Sequence, residues 1–462
     1  MSLRVAHYSK SFEPFRCAFF SHVAASARWR ADCPLFVKGS VSSSTPQSSL
    51  SPAPSDRKAR PRPRISWSWL ALIGAAGLIS IMTAPGQTAG LSVFTDPLII
   101  DLGLSRTDVS LSYLIGTLVG ASVQPFIGRA LDRWGARSVT VSIGLSFAVI
   151  LLAFSFVGEI IGLTAGFTGV RMAGQGALTL AATTAVARAI HHRRGLALGI
   201  ASAIGSAGIS LAPIFVERLI ASVGIRDAWR WEAVAVAVVV IPLALVFPKR
   251  APAVDPESTP STAQLTIQKE SWALPEAIRS GMFWVIAASL ATSGMLTTAL
   301  AFHQIAILGA QGLTPLEAAA NFLPQTVTGI LATLLTGSLV DRVSPKVFIV
   351  FSMVTLAAAL VMLPWVTSGV AAIVYGLVLG AAGGSLRGME AASYVRYYGL
   401  AHIGAIRGVA AAIGLASTAF GPVALSLGFD LTGSFTTPAL ALALIPVIVV
   451  GVALFVRPPQ RT

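Results

Sequence analysis

Three ionisable side chains interrupt long uncharged stretches of this sequence, and they are the first candidates for chemistry. Arg171 stands inside the stretch 160–187, and Arg387 and Glu390 stand inside 371–395. A charge in apolar surroundings is costly, so it is retained where it has a role. A guanidinium presents a planar fork of donors that matches a carboxylate. Arg171 would hold an anion in this way, or pair with carboxylates or carbonyls of a neighbouring helix. Arg387 and Glu390 share one helical face by their spacing. They would neutralise each other, or work as a proton-coupled pair in which Glu390 takes a proton when Arg387 turns to a ligand. His303, near the end of another apolar stretch, titrates near neutral pH and could gate or sense protons; at a helix end it could equally be a satisfied interfacial residue. The amides of Gln87, Gln124, Gln175, Asn321 and Gln325 would complete a polar cavity or cross-link helices. Gln175 falls four residues after Arg171, on the same face.

Other chemistry has no residues to carry it. The sequence contains no Gly-rich phosphate loop, no metal-ligand cluster and no nucleophile–base arrangement. Its two cysteines, Cys17 and Cys33, both lie near the N-terminus, which leaves no disulfide framework for the rest. His191-His192 sits among arginines and reads as a topological feature. Neither a cofactor nor an enzymatic activity is expected.

The elements that must position these residues follow from composition. Hydrophobic residues make up 54% of the chain and charged ones 11%, against about 25% charged in soluble domains. Most of the surface is therefore expected to face lipid. The formal net charge is +14. Residues 1–64 hold 11 Lys/Arg and 3 Asp/Glu, so this Ser/Pro/Arg-rich segment supplies +8 of it. It is expected to be a disordered basic tail, or a transit peptide by its Arg- and Ser-rich, acid-poor composition. The remaining basic residues flank apolar segments, a pattern of membrane topology rather than nucleic-acid binding.

A membrane-spanning helix needs about 20 apolar residues. Such stretches recur at 69–95, 109–128, 138–158, 160–187, 195–216 and 233–248, and again at 280–308, 318–340, 347–362, 371–395, 408–429 and 431–456. The spacing predicts an all-α membrane protein of twelve transmembrane helices. A tail over 1–64, a six-helix half over 65–248, a polar linker over 249–279 and a second half over 280–458 complete the expected organisation. With both termini inside, the inner loops and C-terminus hold 16 basic residues and the outer loops 4. That bias predicts cytoplasmic termini.

The two halves repeat at one offset of 209 residues. Gly128, Asp132, Arg133 and Arg137 fall on Gly337, Asp341, Arg342 and Lys346; Gly195, Gly199, Gly205 and Pro213 fall on Gly404, Gly408, Gly414 and Pro422; Ser105 and Asp108 fall on Thr314 and Glu317. An even number of helices separates equivalent points, so the halves are expected to be parallel and pseudo-symmetric, with a solute site between them.

The loop after the second stretch reads Gly128-Arg129-Ala130-Leu131-Asp132-Arg133-Trp134-Gly135-Ala136-Arg137. It resembles the signature loop of the major facilitator superfamily, G-x-x-x-D-R-x-G-x-R, with an echo at Gly337, Asp341 and Arg342. The resemblance spans about 65–458. It implies the major facilitator fold, and that Gly128, Asp132, Arg133, Gly135, Arg137, Asp341 and Arg342 bias the equilibrium between conformations. Arg193-Arg194-Gly195-Leu196-Ala197-Leu198-Gly199-Ile200-Ala201 further resembles the fifth-helix signature of the monocarboxylate-porter-like branch. Its small residues, Gly195, Gly199, Ala201 and Gly205, are expected to form a packing face.

The function these features imply is secondary transport, by a monomer in the cell membrane, of a small organic solute. An organic anion such as a monocarboxylate is favoured, bound by Arg171, Gln175, Gln87, Asn321, Gln325 and Arg387, with symported protons handled by Glu390 and His303. A drug or metabolite exporter is the alternative; it would want an acid buried in the first half, where none is expected, since Glu159 and Glu217 sit at helix ends. A non-transporting membrane sensor is the second alternative.

Overall fold

The computed structural model describes residues 67–190, 194–248, 272–367, 369–399 and 402–459, which contain helices and no strand. The tail over 1–64, the linker over 249–271 and the His191-His192 pair lie outside the described residues.

Eight helices are long and apolar enough to cross a membrane. One of them, Arg106–Phe154, is two spans joined at Gly135, whose φ of 81° and ψ of 160° are not helical. Glycine reaches this positive φ without steric cost, so the signature loop turns here. This gives helix 2 (106–134) and helix 3 (136–154). Helix 1 is broken: Trp67–Ile81 and Thr88–Leu102 flank a tight turn at Ala84–Gly86, where Pro85 removes a backbone donor. Helix 4 runs through Ile160–Val170, a π-helical segment Arg171–Leu178 and Thr179–Ala189. Helix 5 is Arg194–Val223 and helix 6 is Ile225–Ala244. In the second half, helix 7 comprises Gly281–Phe302 and Gln304–Ala310, and helix 8 Pro315–Ala320 and Phe322–Leu339. Helix 9 is Pro345–Met362, helix 10 Gly369–Tyr398 and helix 11 Ile403–Thr432. Helix 12 comprises Thr436–Leu442 and Leu444–Phe455. Twelve spans result, as the apolar stretches predict.

Boundaries differ from the apolar pattern in both directions: helices 3 and 6 end at Phe154 and Ala244, short of their apolar stretches, and helix 12 starts only at Thr436. Helices 2, 5, 6, 10 and 11 extend past their uncharged stretches into flanking polar residues, because backbone hydrogen bonding continues where the side chains can already reach water. Leu431 thus closes helix 11, not helix 12, and Gly433 (φ 69°) terminates that helix. A short helix at Leu274–Arg279 precedes helix 7.

The repeat has a physical counterpart in paired helix starts. Ser105 caps helix 2 by accepting from the Asp108 amide at 3.0 Å, and Asp108 accepts from the Ser105 amide at 3.1 Å. Thr314 and Glu317, 209 residues on, make the same reciprocal cap at helix 8. Helix pairing repeats too: helix 1 packs on helix 5 as helix 7 packs on helix 11, and helix 2 on helix 4 as helix 8 on helix 10. Helix 10 carries Gly376, Gly380, Gly384 and Gly388 on one face. Each of these lies against helix 8 backbone or side chains within van der Waals distance of where a Cβ would be. Such a ladder lets two helices approach closely without a hydrophobic driving force.

The packing expectation for helix 5 is corrected at two of its residues. Gly195 and Gly199 have nothing within 4 Å of a Cβ position, so they are not close-packing glycines. On the same end of helix 5, Ala197 and Ala201 are buried. Close glycine contacts begin deeper, where Gly205 meets Ser80 and Gly208 meets Ile81.

Candidate solute cavity between the two halves

A cavity of about 690 Å³ opens between the halves, walled by helices 1 and 5 on one side and helices 7, 8 and 10 on the other. Arg387 is the one charged residue among its described lining. Among the described residues its guanidinium makes no ion pair and donates no hydrogen bond. The expected neutralisation by Glu390 is not made either. Glu390 instead faces Arg407 of helix 11 at 3.5 Å, since the N-terminal turn of that helix lies alongside and supplies a competing cation. Arg387 lies beside Gly329 of helix 8, with Nη2 3.0 Å from where a Gly329 Cβ would be. Bulkier residues there would displace it.

Gln87 and Gln325 line the cavity as well. Gln325 Nε2 donates to Gln304 Oε1 at 2.7 Å and to Asn321 Oδ1 at 3.0 Å. Asn321 in turn donates to the Ala372 carbonyl of helix 10. Asn321 therefore sits behind the wall, fixing Gln325, and the amides tie helices 7, 8 and 10 together. Gln87 donates to Thr83 Oγ1 at 3.1 Å across the break in helix 1.

Arg171 and Gln175 are not brought to this cavity. Arg171 is 3% exposed. Its Nε donates to Thr117 Oγ1 at 3.1 Å and its Nη1 to the Gly86 carbonyl at 3.1 Å, and the guanidinium lies 4.6 Å over the Tyr113 ring. The side chain thus pins the break of helix 1 to helices 2 and 4, and gives the Gly86 carbonyl, freed by the break, a charged donor. Arg171→Ala is expected to lower the stability of the detergent-solubilised protein by about 1–3 kcal/mol, read as a fall in melting temperature. An unchanged melting curve would contradict the clamp.

The cavity is closed at the end that carries the loops after helices 1, 7 and 11. Thr107 of helix 2 donates to Asp430 of helix 11 through its hydroxyl at 2.5 Å and its amide at 3.3 Å. Arg106 reaches between two rings of the second half, Phe429 at 5.2 Å and Phe435 at 5.3 Å, while Asp96 holds it at 2.7 Å. His303 Nε2 lies 3.1 Å from the Pro422 carbonyl and 3.5 Å from Ser110 Oγ. Deeper in, Ser210 of helix 5 bonds Thr326 of helix 8. His303 is thus part of this closure rather than of the cavity wall.

At the opposite end, the signature loop is stapled within its own half. Arg188, in the last turn of helix 4, donates to Asp132 and to the Leu131 carbonyl at 3.0 Å. Its counterpart Arg396 donates to the carbonyls of Val340 and Val343 at 3.1 and 2.9 Å. Val340 lies 209 residues after Leu131 and Arg396 208 after Arg188, so the two staples match to within one residue of the repeat. Asp341 and Arg342 form no side-chain hydrogen bond among the described residues; Arg133 and Arg129 lie over the rings of Trp134 and Phe126. The sequence reading missed Arg188 and Arg396 because basic residues at the ends of apolar stretches are common here, and spacing does not single these two out.

It also missed Glu232. Counted outside helix 6 by its apolar pattern, this residue lies in the second turn of the helix, 9% exposed, with Oε2 unpartnered. The first half therefore does bury an acid, contrary to expectation. Glu232 is not among the residues lining the cavity.

Comparisons with known proteins agree with this geometry. No curated protein matches the chain. Among solved structures, it is similar to a bacterial homologue of the human lysosomal transporter Spinster in its inward-facing, unoccupied conformation, with a TM-score of 0.65, 16% identity, and coverage of 84% of this chain and 96% of that one. The same homologue in its inward-facing, occupied conformation gives a TM-score of 0.64 and 15% identity, covering 86% of this chain and 97% of that one. At such identities the likeness concerns the fold. A family model described as Major Facilitator Superfamily matches residues 76–422. With twelve spans, two repeated halves and a cavity between them, the chain belongs to the Major Facilitator Superfamily, a superfamily of membrane transporters.

Proposed function

We propose that this protein is a secondary active carrier for a small organic anion, of the monocarboxylate type, working by alternating access as a monomer in the cell membrane with both termini cytoplasmic. The observation that carries this reading is the unpaired Arg387 guanidinium on an inter-half cavity whose described lining contains no acid. A cation left without a protein counter-charge in a low-dielectric cavity favours a solute that brings one. Gln87 and Gln325 orient the solute beside Arg387, with Asn321 positioning Gln325. Arg171 acts in this reading by holding helix 1 in its broken form rather than by touching the solute, and Gln175 lies outside the described lining of the cavity. Glu390, one turn from Arg387, and His303, in the closed end, are the proton-coupling candidates. Loss of a proton or a change of partner at either would alter contacts made in one conformation only, which is what shifts such an equilibrium. The Arg188–Asp132 staple and its counterpart brace the opposite end.

Glu232 supports a second reading, a proton-coupled exporter of a drug or metabolite, since it supplies an acid in the first half. Its absence from the described cavity lining favours the first.

Uptake of radiolabelled small carboxylates into proteoliposomes, with and without an inward proton gradient, tests the proposal. Saturable uptake that rises with the gradient is expected. Gradient-independent uptake would remove proton symport, and no carboxylate uptake by monodisperse protein would sink the anion reading.

A further inference from the structure

The cavity wall carries hydroxyls that the protein itself leaves available. Ser202, Ser206 and Ser210 follow one another every four residues along helix 5 and face the cavity as one stripe. Ser202 and Ser206 make no side-chain hydrogen bond to any described residue and are exposed to the cavity. Thr298 of helix 7 likewise lines the cavity without a side-chain partner. The single hydroxyl proton of Thr333, on helix 8, is shared between the Gly329 and Gly384 carbonyls, at 2.7 and 3.0 Å, and the oxygen keeps its lone pairs free to accept.

Depth along each helix orders these groups. At about 1.5 Å per residue, Arg387 lies about 5 Å from the middle of helix 10 toward the signature-loop end, and Ser206 about 4 Å from the middle of helix 5 toward the same end. Thr333 lies about 9 Å to that side of the middle of helix 8, and Thr298 about 4 Å to the other side of the middle of helix 7. The guanidinium is thus flanked above and below by a band of hydroxyls contributed by both halves. A short aliphatic acid would satisfy the fork of Arg387 and strip water from these hydroxyls without replacing it, an unfavourable exchange. A solute that carries its own hydroxyls along a chain would replace that water bond for bond. Sites built to hydrogen-bond a substrate hydroxyl discriminate strongly against analogues that lack it.

We infer that the carried anion is polyhydroxylated, a sugar-acid type of carboxylate, with its carboxylate on Arg387 and its hydroxyls shared between the helix 5 serines and the threonines of helices 7 and 8. This rests on the anion-carrier reading and narrows it.

The test is proteoliposome uptake with three six-carbon probes: gluconate, which has charge and hydroxyls; hexanoate, which has charge alone; and sorbitol, which has hydroxyls alone. Saturable gluconate uptake is expected, with hexanoate competing at least about tenfold less well and sorbitol not taken up. Ser206→Ala and Thr298→Val, both close in volume to the native residues, should each raise the KM for gluconate by about two- to tenfold and leave hexanoate competition unchanged. Hexanoate uptake equal to or better than that of gluconate overturns the inference and leaves the anion carrier standing. Equal effects of the two variants on both acids also overturn it. If neither acid enters through monodisperse protein, the anion-carrier reading falls with it.

Discussion

Arg387→Gln is expected to lower kcat/KM for an anionic solute by roughly 10- to 100-fold in reconstituted protein. The magnitude follows from the loss of one charge-assisted hydrogen-bonding group, about 1.5–3 kcal/mol, at about 1.4 kcal/mol per tenfold. No other charged group lines the cavity among the described residues, so none can take over. Arg387→Lys keeps the charge but not the bidentate fork and should fall between the two. Glutamine ends near the position of the arginine Nε and gives up the Nη contacts beside Gly329 and Gly383, but the side chain is exposed to the cavity, so melting temperature should move little. Uptake kinetics with a melting curve on the same samples separate the outcomes. Equal activity of the glutamine variant and the native protein would remove Arg387 from solute binding.

Gly380→Val is expected to be strongly disruptive. A Cβ at this position would sit 2.8 Å from the carbonyl carbon of Gln325 and closer still to its oxygen. That neighbour is helix backbone, which cannot rotate away, so helix 8 must move from helix 10. Overpacking of this kind costs about 1–3 kcal/mol or more. Gln325 lines the cavity and Arg387 lies two turns along the ladder, so uptake should fall with stability. Gly408→Ala provides the control: a Cβ there meets nothing within 4 Å, and alanine favours the helix. Thermal melting of the two purified variants checks the contrast. A valine variant as stable as the native protein would mean that the helices 8 and 10 are not held at this spacing.

Apolar run length makes twelve spans legible, because hydrocarbon thickness sets a length that few soluble helices satisfy by composition. The repeat is legible too, since Ser105/Asp108 and Thr314/Glu317 are local caps whose geometry depends on a few adjacent residues. What the sequence hides is partnership across helices. Arg171 and Arg387 look alike as lone cations in apolar stretches. One is bound to a carbonyl freed by the Pro85 break and one faces the cavity; only the helix rotations distinguish them. Glu390 has Arg387 three residues away in sequence but Arg407 in space. Glu232 escaped notice because charged residues open helix 6 at Ile225, eight residues before the apolar stretch begins. The glycine ladder of helix 10 and the serine stripe of helix 5 both repeat every four residues and were open to reading. Their neighbours decide that one packs and the other faces the cavity.

Solute counterflow in proteoliposomes tests the central claim, carriage of an organic anion through a cavity that opens alternately to each side. Vesicles are loaded with a high concentration of unlabelled anion and diluted into the same anion at trace radiolabelled concentration, with no ion gradient. A carrier predicts transient accumulation of label above equilibrium in anion-loaded vesicles, none in vesicles loaded with sorbitol, and its loss in Arg387→Gln. Label entry that is linear and indifferent to the internal anion would contradict the account.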